Sequence, residues 1–284
     1  MAIKRSVGER VFNIFNIIFM LLLMFVMIYP ILFVALASLS SPSLIMSHKG
    51  LLLWPKGFSL GSYKAIFNYK MIFLSYQNTV IYVVLGTAIN IFMTTLGAYG
   101  LSRKNVLLSD AIMFFIVFTM FFSGGLIPMY LLMQNLSLIN TRWAMWLPGM
   151  IGTTNLIIMR TSFKAIPSSL EESARIDGAN DFVILYRVIV PLSKPVIAVM
   201  LLYYGVGHWN SWFNAMIYLQ DRNLYPLQLI LREILIDSTT DVIELGGDDS
   251  EPIAQTIKYA TIMVATVPIL CVYPFLQKYF VKGV

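Results

Sequence analysis

The residues able to do chemistry in this sequence gather in two places. The first is K-A-I-P-S-S-L-E-E-S-A-R-I-D-G-A-N-D-F-V-I-L-Y-R-V-I-V-P-L-S-K-P, residues 164–195, a charged stretch between two apolar runs. Its acids suit ionic pairing: Glu172, near the exposed end of a short helix, can meet a basic residue on another protein. The second is an aromatic and polar run holding Tyr203, Tyr204, Gly207, His208, Trp209, Asn210, Trp212 and Asn214. Aromatic faces over sugar rings, with amides bonding hydroxyls, would suit a carbohydrate path. The alternative is an aromatic belt at a membrane interface, with amides joining helices. Tyr203, Gly207, Asn210 and Asn214 fall on one stripe if the run is a continuous helix. His208 by itself reads as a hydrogen-bonded packing residue.

Other chemistries lack their residues. There is one cysteine, Cys271, and the two histidines, His48 and His208, lie far apart, so no metal cluster or internal disulfide is indicated. Neither an H-E-x-x-H hydrolase motif nor a G-x-x-x-x-G-K-[ST] phosphate loop occurs.

The elements that must position these residues are set by composition. Of 284 residues, 58% are hydrophobic and 12% charged, more apolar surface than a soluble chain can hide. Crossing a hydrocarbon core takes about 20 apolar residues in a helix. Six segments qualify: about 11–37, 78–101, 111–133, 143–163, 196–219 and 259–279. All are expected as helices, because a spanning segment must satisfy its own backbone groups. The fold class is therefore all-α, a polytopic membrane protein with six transmembrane helices. The first apolar stretch is too long for a cleavable signal core, although Ala35-Leu36-Ala37 imitates a cleavage site, and it is expected as a retained span.

Six spans put both termini on one side. Twelve Lys and Arg fall on that side and eight on the other, which favours cytoplasmic termini. Scattered in this way, the net charge of +6 fits membrane orientation and gives no reason to expect nucleic acid. Gly86, Asn90, Thr94 and Gly97 recur at helical spacing on the second span, which lets a neighbouring helix approach and offers it hydrogen bonds. None of the six segments has a central Asp, Glu, Lys or Arg, which argues against the alternative of an ion-coupled secondary transporter. Between the fifth and sixth spans, Leu224 to Ile236 suits an amphipathic surface helix starting near Pro226. An acidic stretch follows with Asp237, Asp241, Glu244, Asp248, Asp249 and Glu251, either a solvated loop or a docking surface.

Residues 165–195 read as two short helices. Ser168 is placed to cap the first, with Glu171 completing a capping box and Pro167 blocking backward extension. Gly178 should end it in a left-handed conformation. A second helix starts at Asn180 or Asp181 and stops near Pro191, with Phe182, Leu185, Tyr186 and Ile189 sharing a face. The result is a compact cytoplasmic helix-turn-helix knob, able to transmit force or else simply a solvated interfacial loop.

This segment resembles the EAA signature of ATP-binding-cassette importer permeases: Glu, two small residues, three variable positions, Gly, nine more, then aliphatic, any, aliphatic, Pro. Here those positions are Glu172, Ser173, Ala174, Gly178, Val188, Val190 and Pro191, with Ser173 departing from the usual Ala. The strings L-E-E-S-A-R-I-D-G-A, W-N-S-W-F-N-A and L-Y-P-L-Q resemble the carbohydrate branch, of maltose and polysaccharide type. The resemblance implies a single permease domain over 1–284, with 165–195 as a coupling loop that contacts a separate ATPase through Glu171, Glu172, Ser173, Ala174, Asp177, Gly178, Ala179 and Pro191. It implies a solute path drawing on Tyr203, Tyr204, His208, Asn210 and Asn214. It further implies a second, related permease, two ATPase subunits that hold the ATP and magnesium, a solute-binding protein outside and a carbohydrate substrate. The chain itself would need no cofactor, catalyse no reaction and lie in the lipid of the bacterial inner membrane.

Overall fold

The computed structural model describes residues 7–103, 106–236 and 250–280. Among the described residues the chain is helical, apart from one isolated bridge between Ser40 and Phe58. The residues form two compact units: the first takes residues up to Tyr69 with Ile234–Thr266, the second Lys70–Glu233 with the residues from Val267.

The first unit is led by α1 (Val7–Ser38), apolar all round and exposed along most of its length. At its end Ser38 Oγ meets Tyr63 Oη at 2.8 Å, and Tyr29 Oη accepts the Leu52 N–H at 3.0 Å. These bonds hold α2 (Pro42–Met46) and α3 (Gly61–Asn68) around a small core of Ala37, Ile45 and Leu52.

The second unit is built on α4 (Lys70–Ser102), which buries a polar seam of Asn78, Thr79, Thr87, Asn90, Thr94 and Thr95. Around it lie α5 (Ser109–Phe121), α6 (Leu126–Asn135), α7 (Trp143–Trp146), α8 (Thr153–Lys164), α9 (Ser168–Ile176), α10 (Asp181–Leu192), α11 (Lys194–Trp209), α12 (Phe213–Tyr218) and α13 (Leu227–Ile236). The last helix, α14 (Ser250–Phe280), carries Pro268 and Pro274 within it.

Three of the expected continuous spans are interrupted. Residues 111–133 break between α5 and α6, bending by 114° where Ser123, Gly124 and Gly125 intervene and Gly125 turns to φ +85°. Residues 143–163 are helical only in α7 and α8, since Pro148 lacks the N–H a helix needs and Gly149 and Gly152 flank it. Residues 196–219 stop at Trp209 and resume at Phe213, so the stripe through Asn210 and Asn214 is not a helical one. Among the described residues two helices, α1 and α4, are long and apolar enough to cross a membrane, or up to four if each bent pair counts as one span.

Candidate functional site

The knob folds by local rules. Helix α9 begins at Ser168 after Pro167, but neither residue makes a side-chain cap. The expected capping box is absent because Glu171 turns instead into an ion pair with Arg103, just beyond the end of α4. Arg103 also donates from Nε to Ser102 Oγ at 2.9 Å and from Nη2 to the Phe163 carbonyl at 3.1 Å, while its guanidinium covers the Tyr99 ring at 4.9 Å. One arginine thereby joins the ends of α4 and α8 to α9. Burial pushes its pKa down from the ordinary value, yet a guanidinium keeps its charge at any working pH.

At the other end of α9, Gly178 adopts φ +83°. Its N–H bonds the Arg175 carbonyl at 3.0 Å and the Ala179 N–H bonds the Ala174 carbonyl at 2.9 Å, the paired bonds that close a helix through a left-handed residue. A Cβ at Gly178 would meet nothing within 4 Å, so backbone conformation alone selects glycine. Asn180 then caps α10, its Oδ1 accepting the Val183 N–H at 2.9 Å, and Arg175 bridges the turn to Asp181 at 2.6 Å.

Helix α10 runs through Pro191 to Leu192 because Leu185–Ile189 form a π turn. The wider turn gives room for a proline ring that would crowd the carbonyl four residues back in an ordinary helix. The chain then bends by 85° into α11.

Ile184, Leu185 and Ile189 pack with Leu156, Met159 and Phe163 of α8 and Met200 of α11, and Ala174 and Ala179 rest against this core, which explains their small size. Phe182 and Tyr186 do not join that face as expected. They are exposed, Phe182 at 67%, as is Ile176 at 87%. Glu172, Ser173, Asp177, Gly178 and Pro191 also lie on the exposed side, whereas Glu171 is buried.

A second assembly ties the break between α7 and α8 to α4 and α11. Asn90 Nδ2 donates to the carbonyls of Gly149 and Met150, both at 2.8 Å. With both amide hydrogens engaged, its Oδ1 accepts from His208 Nε2 at 2.6 Å, which sets the histidine tautomer. Tyr204 Oη accepts the Gly152 N–H at 3.0 Å and shares a hydrogen bond with Thr94 Oγ1 at 2.7 Å. The interrupted backbone thus finds in side chains the partners that a continuous helix would have supplied. The stripe on α4 behaves as its spacing suggests: Gly86 lies under the His208 ring, where a Cβ would come within 2.6 Å of Nε2.

Nearer the start of α4, Asn78 Nδ2 donates to the Asn223 and Tyr225 carbonyls, Tyr82 Oη to the Leu224 carbonyl, and Thr79 Oγ1 accepts the Leu227 N–H. These bonds fasten the segment leading into α13. That helix does form after Pro226 and is amphipathic as expected, with Leu227, Ile230, Leu231 and Ile234 buried along one stripe and Gln228, Arg232 and Glu233 less covered, although Leu229 is buried off that stripe. The acidic residues Asp237, Asp241, Glu244, Asp248 and Asp249 lie outside the described residues, as does the side chain of Glu251.

The proposed solute-path residues do not converge. Tyr204 and His208 are engaged in the assembly just described, while Asn210 and Asn214 are exposed on either side of a helix break. Tyr203 faces away from Tyr204 into a cavity of about 850 Å³ lined by Val84, Ala88, Leu202, Val206, Trp209 and Ile269 among others, almost wholly apolar. Sequence reasoning missed the role of Arg103, whose only signal was a charge placed directly after a long apolar run, and that of Arg232, which lies on the Trp212 ring at 4.6 Å.

A family model described as binding-protein-dependent transport system inner membrane component matches residues 93–284. The chain is 45% identical over 259 residues to the polygalacturonan/rhamnogalacturonan transport system permease protein YtcP of Bacillus subtilis, covering 90% of each chain. It is 40% identical over 277 residues to protein LplC of the same species, covering 96% of this chain and 93% of that one. A crystal structure of a bacterial ABC transporter involved in the import of the acidic polysaccharide alginate contains a chain that superposes with a TM-score of 0.91 at 32% identity, covering 97% of this chain and 99% of that one.

Proposed function

The chain belongs to the binding-protein-dependent transport system inner membrane component family, and from that premise we propose that it forms half of the translocation path of an ATP-driven saccharide importer. It is a transport subunit, and the saccharide is an oligo- or polysaccharide, the class named for its relatives. The other half of the path is a second, related permease. Two ATPase subunits carry the ATP and magnesium, and a solute-binding protein delivers the saccharide from outside. Six apolar segments cross the membrane with both termini in the cytoplasm, three of them as broken spans.

The observation that carries this reading is the two-sided knob. One side, Ile184, Leu185 and Ile189, is locked into the core of the second unit. The other presents Glu172, Ile176 and Phe182 to the surroundings. A tip this apolar and this firmly rooted calls for a partner that covers it. In the proposed cycle ATP closes the ATPase dimer, the knobs of the two permeases move with it, and the bundle shifts between inward-open and outward-open packing. No covalent chemistry falls to this chain. Energy enters as a bias between two packed states.

The test is Glu172→Lys, with Phe182→Ser beside it, in the purified complex. Recovery of the ATPase subunits with the permease should fall, and receptor-stimulated ATP turnover should drop at least tenfold, while the thermal midpoint of the isolated permease stays put. Unchanged assembly and turnover, or labelling of a cysteine at position 176 from outside the cell, would overturn it.

A further inference from the structure

Between α11 and α12 the chain leaves the helix for Asn210, Ser211 and Trp212, and Trp212 stands exposed there. Phe213 meets its ring edge-on at 5.6 Å. Met216, whose N–H bonds the Trp212 carbonyl at 2.9 Å, sits one turn further on the same face. Arg232 from α13 covers that face: its guanidinium carbon is 4.6 Å from the Trp212 ring centroid and its Nη1 is 3.5 Å from Met216 Sδ, a weak acceptor that neutralises nothing.

Arg103, Arg160 and Arg175 each meet a carboxylate. The acid beside Arg232 in sequence, Glu233, is already taken by Arg222 at 2.7 Å. Among the described residues Arg232 pairs with no carboxylate. A guanidinium held over an indole, with only a thioether sulfur near one of its nitrogens, keeps N–H groups for an acceptor, and two of them match a planar carboxylate through parallel hydrogen bonds. Exposed aromatic rings beside it suit the C–H face of a pyranose.

We propose that Arg232 and Trp212 form a subsite for a uronic acid residue of the transported saccharide, the guanidinium holding the C6 carboxylate and the aromatic rings the sugar ring. The proposal rests on the saccharide-importer reading and gives it a charge preference. An anionic lipid headgroup offers the other available anion, and its phosphate takes the same fork through two bonds, but the exposed rings beside Arg232 favour a sugar.

The experiment reads ATP-dependent uptake into proteoliposomes by the complete importer, comparing trigalacturonic acid with its neutral methyl ester. Each variant is compared with wild type on the same substrate, so selection by the solute-binding protein cancels. Arg232→Gln should lower uptake of the acid at least tenfold and leave the ester within twofold, Arg232→Lys should retain an intermediate rate, and Trp212→Ala should lower both. Equal loss of acid and ester in Arg232→Gln, or no loss of either, overturns the proposal. So does a defect that appears with phosphatidylglycerol in the bilayer and vanishes in pure phosphatidylcholine, which would make a lipid the anion. Wild-type uptake of the ester with none of the acid also sinks the subsite while leaving the importer reading intact. Absence of ATP-dependent uptake of any saccharide would instead remove the importer reading itself.

Discussion

Arg103 and Glu171, far apart in sequence, form an ion pair that fastens the first knob helix to the end of the longest helix in the second unit. Both side chains are largely buried, and the same guanidinium holds the last carbonyls of α8 through Phe163. A push on the knob therefore reaches α4 and α8 together. Removing one member of such a pair leaves a buried charge without its partner, at a cost of about 3–5 kcal/mol. Glu171→Ala should lower the thermal midpoint of the permease by several degrees and uncouple ATP turnover from uptake. The exchange Arg103→Glu with Glu171→Arg should recover part of both, measured by scanning calorimetry and by the ratio of ATP hydrolysed to solute moved.

Gly178 is required for its backbone and nothing else, because the space around it is empty. Gly178→Val should cost about 1–2 kcal/mol by forcing a side chain into the left-handed region, with Gly178→Asn milder. Hydrogen exchange at the Ala179 amide checks it: protection should fall in the order Gly, Asn, Val.

Gly86 is required for the opposite reason. Its φ is ordinary, but a methyl group there collides with the His208 ring. Gly86→Ala should destabilise the packing of α4 against α11 by about 1–3 kcal/mol. His208→Ala removes the obstacle, so the double variant should be more stable than the sum of the single losses predicts. A thermal-shift double-mutant cycle reads this coupling.

Tyr204→Phe deletes one oxygen that serves two partners, the Gly152 N–H and Thr94 Oγ1. Both are then left without that bond in apolar surroundings, a loss of about 1–3 kcal/mol. The effect should appear as faster hydrogen exchange at Gly152 while the knob amides, held by their own local bonds, are unchanged.

The knob was the most legible part of the chain because its determinants lie within a few residues of one another. The glycine that ends α9 and the asparagine that begins α10 act on their own backbone neighbours, and the spacing from Glu172 to Pro191 carries the family resemblance. What sequence reasoning misjudged there was long-range: Glu171 prefers Arg103 to a capping bond. Phe182 and Tyr186 stay outside because the core lies on the Ile184 and Leu185 side and a π turn changes the phase of the face.

The spans behaved differently. Apolar length measures whether a segment suits lipid, not whether its hydrogen-bond ladder is continuous, so S-G-G at 123–125 and P-G at 148–149 were outweighed by the runs around them. Composition and local spacing alone were enough to determine an all-helical membrane chain, a helix-turn-helix elbow and its glycine. Tertiary structure decided where the helices break and which side chains satisfy the broken backbone. It also decided that His208 meets Asn90 and Tyr204 meets Thr94, while Arg232 has no carboxylate partner among the described residues. The division follows from range: a cap or a turn depends on neighbours a few bonds away, whereas the partner of a buried amide or charge comes from a distant part of the chain and exists only once the helices have packed.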